Sequence, residues 1–363
     1  MNTEEQYKYM VRVSCMTFNH ANFIEDAMNG FTMQETTFPF VCTIADDAST
    51  DGEQEIIKNY LKDHFDLDDK ETVRNEETDD YIMTFARHKT NRNCYFAVLF
   101  LKYNHYSIKK PKLPYLIEWT DNVKYIAHCE GDDYWINPLK LQKQVDILEA
   151  NPDFTMVCNR TKLYSVRQKK IIGENYCYNK SRVVRPKDII YRTGLYISTC
   201  SVLYRKELRD NIPDYWAKCV VGDYPLHIMC AMKGNVYYFN DIMSVYRVEN
   251  SNSWMGRQKW YKMDKRRIEV IKSQVNMFNG FAHDFPKYKG YFKNKIANHI
   301  NRSVPLLLSD QKEFLSIFSE EINNYSLLQK GDLLIRKLLN RKRLRKKYEK
   351  LFQKKFSSRR KMY

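Results

Sequence analysis

The 363-residue sequence has no apolar run approaching 18 residues, so it holds no stretch able to cross a bilayer as a helix. It has no Cys-x-x-Cys pair. Its nine cysteines, Cys15, Cys42, Cys94, Cys129, Cys158, Cys177, Cys200, Cys219 and Cys230, are odd in number and lie mostly among apolar neighbours. That spacing fits small reduced core residues better than a disulfide framework. There is no GxGxxG and no GxxxxGK[ST]. A dinucleotide Rossmann site and a P-loop are thereby disfavoured, while a nucleotide held by carboxylates and a metal stays open. The opening residues, MNTEEQYKYM, are polar and acidic, unlike a signal peptide. These features together lead us to expect a cytoplasmic protein.

A uniformly basic body is also missing, despite a formal net charge of +16. Residues 335–363 carry 14 Lys or Arg and one acid, Glu349, which leaves only +3 for the first 334 residues. Within this tail Leu334, Ile335, Leu338, Leu339, Leu344, Tyr348, Leu351, Phe352 and Phe356 recur near helical spacing between basic residues. Such a helix can lie in the interface of an anionic membrane. A solvated basic helix packed on the body is the plainer alternative. Nucleic acid is not an expected partner, because no base-reading module accompanies the charge.

What the chain does have is an alternation of short apolar runs and helical patterns. Met10–Met16 and Phe40–Ala45 read as buried strands. Helices are expected from Phe23 to about Phe31, with Asn22 as cap, and from Glu53 to His64. Residues 66–80 read as an acidic exposed loop, Tyr81–Phe85 as a third strand and Asn93–Tyr106 as a helix. Val123–Ala127 is the next buried strand, and Pro138–Ala150 a helix with Pro at its start. Phe154–Cys158 is a strand, 160–195 a hairpin excursion, and Gly222–Met232 a helix. Val236–Tyr246 reads as a strand pair or bend. The expected fold is α/β, a mostly parallel sheet flanked by helices with right-handed crossovers. Residues 1–255 are expected to form this domain, and 256–363 a helical extension ending in the basic amphipathic helix.

Ligands bind such sheets beyond the carboxyl ends of the strands. Three polar clusters fall there: Thr17 and Asn19, Asp46 and Asp47, and Glu130, Asp132 and Asp133. The last group is the densest. Carboxylates this close repel by about 4 kcal/mol per pair at an effective dielectric near 20. A divalent cation would relieve that repulsion, and an oxygen-only set suits Mg²⁺ or Mn²⁺. Gly131 permits the tight turn that turns Glu130 and Asp132 to one point. An ordinary acidic turn ahead of the helix near Pro138 is the alternative.

The segments VSCMTFNHANFIEDAM, CTIADDASTDGEQEII, YIAHCEGDDYWINPLKLQKQV and VGDYPLHIMCAMKG, in this order over roughly residues 10–255, resemble the family 2 glycosyltransferases of the GT-A fold, of the kind that build bacterial surface polysaccharide. The resemblance implies donor-nucleotide contacts at Thr17 and Asn19, base and ribose contacts at Asp46 and Asp47, and a DxD-type metal motif at Glu130–Asp132, with Asp133 beside it on the donor side. It implies a general base at Asp223, at the start of a helix. The implied activity is metal-dependent, inverting sugar transfer from a nucleotide sugar, UDP-linked, to a glycan or lipid-linked acceptor. A lipid-linked acceptor would place the protein on the inner face of the plasma membrane.

Two departures from the family pattern stand out. The family often carries a His shortly after a late Tyr-Arg pair, but Tyr246-Arg247 is followed by Val248 and Glu249. Arg247 either holds the diphosphate itself or packs on the sheet. The segment 87–122 is long and basic; Arg92 and Asn93 within it are candidates for the donor side. His88, His105 and His128 read as structural. A nucleotidyltransferase would share the acidic strand ends, but would carry a Gly-rich basic loop after the first strand, where this chain has Thr17–His20. A non-catalytic glycan-binding protein is the rival from outside the enzymes, and intact Asp132 and Asp223 speak against it.

Overall fold

The structure is a computed structural model and describes residues 7–192, 196–249, 264–306 and 311–338. The chain divides into two compact units. The first comprises Met1–Val184, Leu195–Asp210 and Lys233–Ser253; the second comprises Arg185–Gly194, Asn211–Met232 and Trp254–Tyr363.

In chain order the first unit begins with β1 (Tyr9–Thr17), α1 (Ile24–Thr32), β2 (Phe40–Asp46), α2 (Glu53–His64), β3 (Arg74–Glu77), β4 (Tyr81–Arg87) and β5 (Cys94–Leu101). It continues with α3 (Ile117–Asp121), β6 (Val123–His128), β7 (Tyr134–Trp135), α4 (Lys140–Ala150), β8 (Phe154–Ser165), β9 (Lys170–Asn175) and β10 (Arg182–Val184). After α5 (Pro186–Tyr191) in the second unit, the first resumes at β11 (Leu203–Arg205). Two helices follow, α6 (Asp214–Ala217) and α7 (Asp223–Lys233), and then β12 (Asn235–Val248). The remaining described helices are α8 (Asp264–Asp284), α9 (Lys289–Ser303), α10 (Gln311–Ile317), α11 (Ser319–Asn323) and α12 (Leu327–Leu338).

The strands form one twelve-stranded sheet in the order β10-β12-β8-β11-β6-β1-β2-β5-β4-β3, with β7 on β12 and β9 on β8. At its centre β6, β1, β2 and β5 run parallel, while antiparallel pairs extend both sides. All seven residues of β2 are buried, as a parallel strand covered on both faces should be. α1 turns Ile24, Ala27, Met28 and Phe31 inward, one apolar stripe at helical spacing. α2 covers the expected span from Glu53 to His64 and buries Ile57, Tyr60 and Leu61.

Four expectations change. The segment expected as a helix over Asn93–Tyr106 is instead β5, whose CYFAVLFL run lies parallel against β2 with Phe96–Leu101 buried. An unbroken apolar run of eight residues suits a doubly covered strand as well as a buried helix, and pairing with β2 decides it. The acidic stretch 66–80 contributes the exposed edge strand β3. Asn22 does not cap α1: the helix begins at Ile24 with Phe23 as its N-cap and no side-chain cap. Instead the His20 carbonyl accepts from the N–H groups of Phe23 and Ile24. Val236–Tyr246 belongs to one long strand, β12, with register shifts between Phe239 and Ser244 where a bend was expected.

The topology prepares a site. From β1 the chain steps outward to β2, adds β3 at the far edge and comes back through β4 to β5, and then lays β6 on the other side of β1. The winding therefore reverses between β1 and β6, and the carboxyl ends of strands at such a reversal are where open α/β sheets bind ligands.

In the second unit, α8 and α9 pack through Phe278, Phe281 and Phe292, with the Phe281 and Phe292 rings stacked at 5.8 Å. Tyr224 of α7 meets Phe278 edge-on at 5.8 Å.

Candidate active site at the sheet edge

Thr17, the last residue of β1, sits at the centre of the reversal. It is buried, and its hydroxyl donates to Glu53 Oε1 and lies 3.1 Å from His20 Nδ1. Glu53, at the start of α2, is fully buried and also accepts from the His20 backbone N–H at 2.9 Å and the Ser49 hydroxyl at 2.8 Å. Burial raises the Glu53 carboxyl above its ordinary range, and these hydrogen bonds oppose the shift. Asn19 closes the same turn: its side-chain Oδ1 accepts from Thr50 N–H at 2.8 Å, while its backbone N–H donates to Ser49 Oγ at 2.9 Å. Asn19 has φ +57°, a left-handed conformation that Asn tolerates better than most residues. Thr17 and Asn19 thus bind the loop after β2 to the end of β1.

The two acids after β2 take different positions. Asp46 is fully buried, and its Oδ1 accepts from Ser49 N–H at 3.1 Å and Gln54 Nε2 at 2.6 Å. Its Oδ2 is buried and accepts no hydrogen bond among the described residues. Burial raises the Asp46 carboxyl from its ordinary value. Asp47 instead organises the loop after β5. It accepts from the N–H groups of His105 at 2.8 Å and Tyr106 at 3.2 Å, and pairs with Lys112 at 3.0 Å.

The acidic turn after β6 is pressed against β1. The Gly131 N–H donates to the Met16 carbonyl at 3.1 Å, and a Cβ at Gly131 would stand 2.1 Å from Thr17 Oγ1. Only glycine fits there. The turn carries half-buried Glu130 and Asp132 on either side of it, and Asp132 Oδ2 lies 3.8 Å from His20 Nε2. Asp133 points inward, is 1% exposed, and accepts from Arg247 N–H at 2.8 Å. Burial, and then the neighbouring Asp132 charge, push the Asp133 carboxyl well above the usual range.

Arg247 of β12 lies beneath this turn. Its guanidinium donates to the Asp132 carbonyl at 2.9 Å and to Asp26 Oδ2, and it rests 4.4 Å from the Tyr134 ring centre and 4.9 Å from that of Phe23. Its two terminal nitrogens are engaged by protein, one of them on the backbone of the acidic turn, while the buried Nε has no hydrogen-bond partner among the described residues.

A continuous path therefore joins the clusters: Asp46 to Ser49, Ser49 to Glu53, Glu53 to Thr17 and His20, and His20 to Asp132. Glu53, His20 and Asp26 were not singled out by the sequence reading. An acid in the first turn of a helix is ordinary N-terminal preference, so Glu53 carried no distinctive signal. Arg92 and Asn93 lie elsewhere: the Asn93 carbonyl accepts from Phe40 N–H at the start of β2, the opposite edge of the sheet. His88 is a structural residue, its Nδ1 accepting from the N–H groups of Thr90 and Asn91, and His128 Nε2 meets Tyr204 Oη at 3.0 Å.

Asp223 belongs to the second unit, where it opens α7, half-buried, with one carboxylate oxygen accepting from the Tyr224 N–H at 2.7 Å. One turn further along, His227 is buried beneath it and held below its ordinary pKa by that burial.

Among the described residues no three His, Cys, Asp or Glu side chains cluster so as to enclose an ion. Glu130 and Asp132 are two half-buried carboxylates on the turn after β6. That set fits an Mg²⁺- or Mn²⁺-type ion whose other ligands come from phosphate and water; it does not fit a caged structural ion.

No family model matches the chain. Uncharacterized proteins of Mycobacterium bovis and Mycobacterium tuberculosis are 28% identical over 275 residues, 73% of this chain and 68% of theirs. Among solved structures, Staphylococcus aureus TarS 1–349 in complex with UDP aligns over 87% of this chain and 89% of its own, at 16% identity and a TM-score of 0.45. A mannosyltransferase of Pyrobaculum calidifontis in complex with GDP-Man and Mn²⁺ aligns over 91% and 80%, at 14% identity and a TM-score of 0.48. At these values the likenesses give no residue-level correspondence, and the chemistry is read from the side chains.

Proposed function

We propose that this protein is an inverting glycosyltransferase of the family 2 type, moving a sugar from a UDP-linked donor to a glycan or lipid-linked acceptor in surface polysaccharide synthesis. In this reading it works on the cytoplasmic face of an anionic membrane. The observation that supports the proposal is the chain of contacts through Ser49, Glu53, Thr17 and His20 that links, at one sheet edge, the loop of buried Asp46 to the turn of half-buried Asp132. A nucleobase offers N–H donors that suit Asp46. A diphosphate bridged through a cation suits Asp132.

The residue roles follow from chemistry. Asp46 is the residue we assign to the nucleobase; its Oδ2 is a buried acceptor, so a base N–H reaches it only once the loop after β2 opens. Asp47 holds the loop after β5 as the wall beside it. Glu130 and Asp132 are the residues that would hold Mg²⁺ or Mn²⁺, and a bound ion would stabilise the charge growing on the departing diphosphate. Thr17, His20 and Glu53 fix the orientation of the rim, and Arg247, from below, fixes the Asp132–Asp133 turn. The reacting sugar carbon becomes oxocarbenium-like as its bond to the diphosphate loosens. Asp223 is the residue that the resemblance offers as general base for the attacking acceptor hydroxyl. One base and attack from the face opposite the leaving group give inversion.

The test is a screen of nucleotide sugars by thermal shift, with and without Mn²⁺. A UDP-sugar should stabilise the protein only when the metal is present, and Asp132→Asn should abolish that stabilisation. Asp223→Asn should bind donor as the wild type does and lose about 10²–10⁴-fold in transfer. Wild-type transfer by Asp223→Asn would remove the base assignment, and metal-independent donor binding would remove the metal.

A further inference from the structure

The second unit ends its described residues in a helix whose two faces differ sharply. α12 is set up by a reciprocal cap: Ser326 N–H donates to Gln329 Oε1 at 2.8 Å, and Gln329 N–H donates to Ser326 Oγ at 3.3 Å. Its inner face is anchored on α9. Asn301 Nδ2 donates to the Gln329 carbonyl at 3.1 Å and to Asp332 Oδ2 at 2.9 Å, and Leu333 is 5% exposed. Asp332 also pairs with Arg336 one turn on, at 2.9 Å. The helix is therefore fixed in rotation, and its other face is turned outward by packing.

That outward face is apolar. Leu327 and Leu328 are 89% and 87% exposed, and Leu334 and Ile335 are 60% and 61% exposed. Gly331 lies between the two pairs, so the four side chains form one stripe along successive turns. Lys330 and Lys337 flank it, both exposed. Leaving four large aliphatic side chains in water is unfavourable relative to burying them. A second copy of the chain is a poor cover. The 25 residues that follow α12 in sequence include 12 Lys or Arg and one acid, and two such segments brought side by side would repel. An anionic lipid surface matches both features at once, taking the aliphatic stripe into its acyl boundary and the lysines at its headgroups.

We propose that the Leu327/Leu328/Leu334/Ile335 face of α12 docks the protein on an anionic phospholipid bilayer. This sharpens the membrane placement in the functional reading above, but it stands on the helix face and not on the sheet-edge chemistry. The experiment is vesicle flotation of the full-length chain with phosphatidylglycerol-containing and pure phosphatidylcholine vesicles, at low and at moderate salt. Wild type should float with the anionic vesicles and stay behind with the neutral ones. Leu327→Glu/Leu328→Glu changes two nearly fully exposed side chains and should leave the melting temperature unchanged while cutting anionic-vesicle binding about tenfold or more. Equal flotation of the variant would overturn the proposal and assign binding to the basic residues alone. Absence of wild-type flotation would overturn it outright. A dimer in sedimentation velocity that the double variant dissociates would overturn it in favour of a copy-to-copy interface. Donor binding followed by thermal shift in the same variant reports on the sheet edge separately, so a failed membrane assay and a failed transferase reading remain distinguishable.

Discussion

Gly131 and Thr17 are in such close contact that no side chain larger than a hydrogen fits between them: a Cβ on the one would stand 2.1 Å from the hydroxyl oxygen and 2.7 Å from the Cβ of the other. This contact joins the end of β6 to the end of β1, and with it the acidic turn to the loop that carries Asp46. Gly131→Ala should force the turn away from β1. Overpacking of this kind costs about 1–3 kcal/mol, and the displaced Asp132 should lose metal-dependent donor binding as well. A melting curve together with the thermal-shift titration checks both. An alanine variant with wild-type stability and donor response would show that the contact does not set the geometry.

Arg247 makes a second prediction. Lysine at this position keeps the charge but cannot reach Asp26 and the Asp132 carbonyl together, nor lie flat against Tyr134 and Phe23. Arg247→Lys should lower stability by about 1–3 kcal/mol, the range for a lost buried charge-assisted bond, and raise the donor KM more than it lowers kcat. Denaturant unfolding and steady-state kinetics are the measurements. A kcat loss with unchanged KM and unchanged stability would point to direct contact with the reacting groups.

Lys140 gives a pH prediction remote from the site chemistry. It is fully buried, its ammonium donating to Gln144 Oε1 at 2.8 Å and lying 4.1 Å from the centre of the Trp135 ring. Burial lowers its pKa from 10.5 to about 7. Between those values the unfolded chain binds more protons than the folded one, so this residue makes stability rise with pH across that window. Below pH 7 the full cost of burying the charge is present. Lys140→Met should therefore gain most over wild type below pH 7, and the gap should narrow by on the order of 2 kcal/mol between pH 7 and pH 9. Melting curves of the two proteins at several pH values check this. A gap that stays constant across the window would show that the amine titrates normally.

Much of the fold was legible because hydrophobic runs and their punctuation are local. The strands at Met10–Met16, Phe40–Ala45 and Val123–Ala127 and the helix from Glu53 to His64 are found where the pattern puts them. CYFAVLFL was misread, since a strand buried on both faces loses the alternation that distinguishes it from a buried helix. The three acidic and polar clusters were legible as candidates because each directly follows an apolar strand. Glu53 was not, because its role depends on β1 ending beside the start of α2, a contact 36 residues apart in the chain.

By itself, then, the sequence determined most element types, three of the four central parallel strands and the polar residues at their ends, all of which follow from short-range periodicity and turn chemistry. It could not show that Arg247 reaches the Asp132 carbonyl and Asp26, nor reveal that Gly131 is required by Thr17 more than by its own turn. Those were decided by tertiary packing. Whether a charge is free or engaged, and whether a glycine is convenient or obligatory, depends on atoms brought within a few ångströms by the fold from distant parts of the chain.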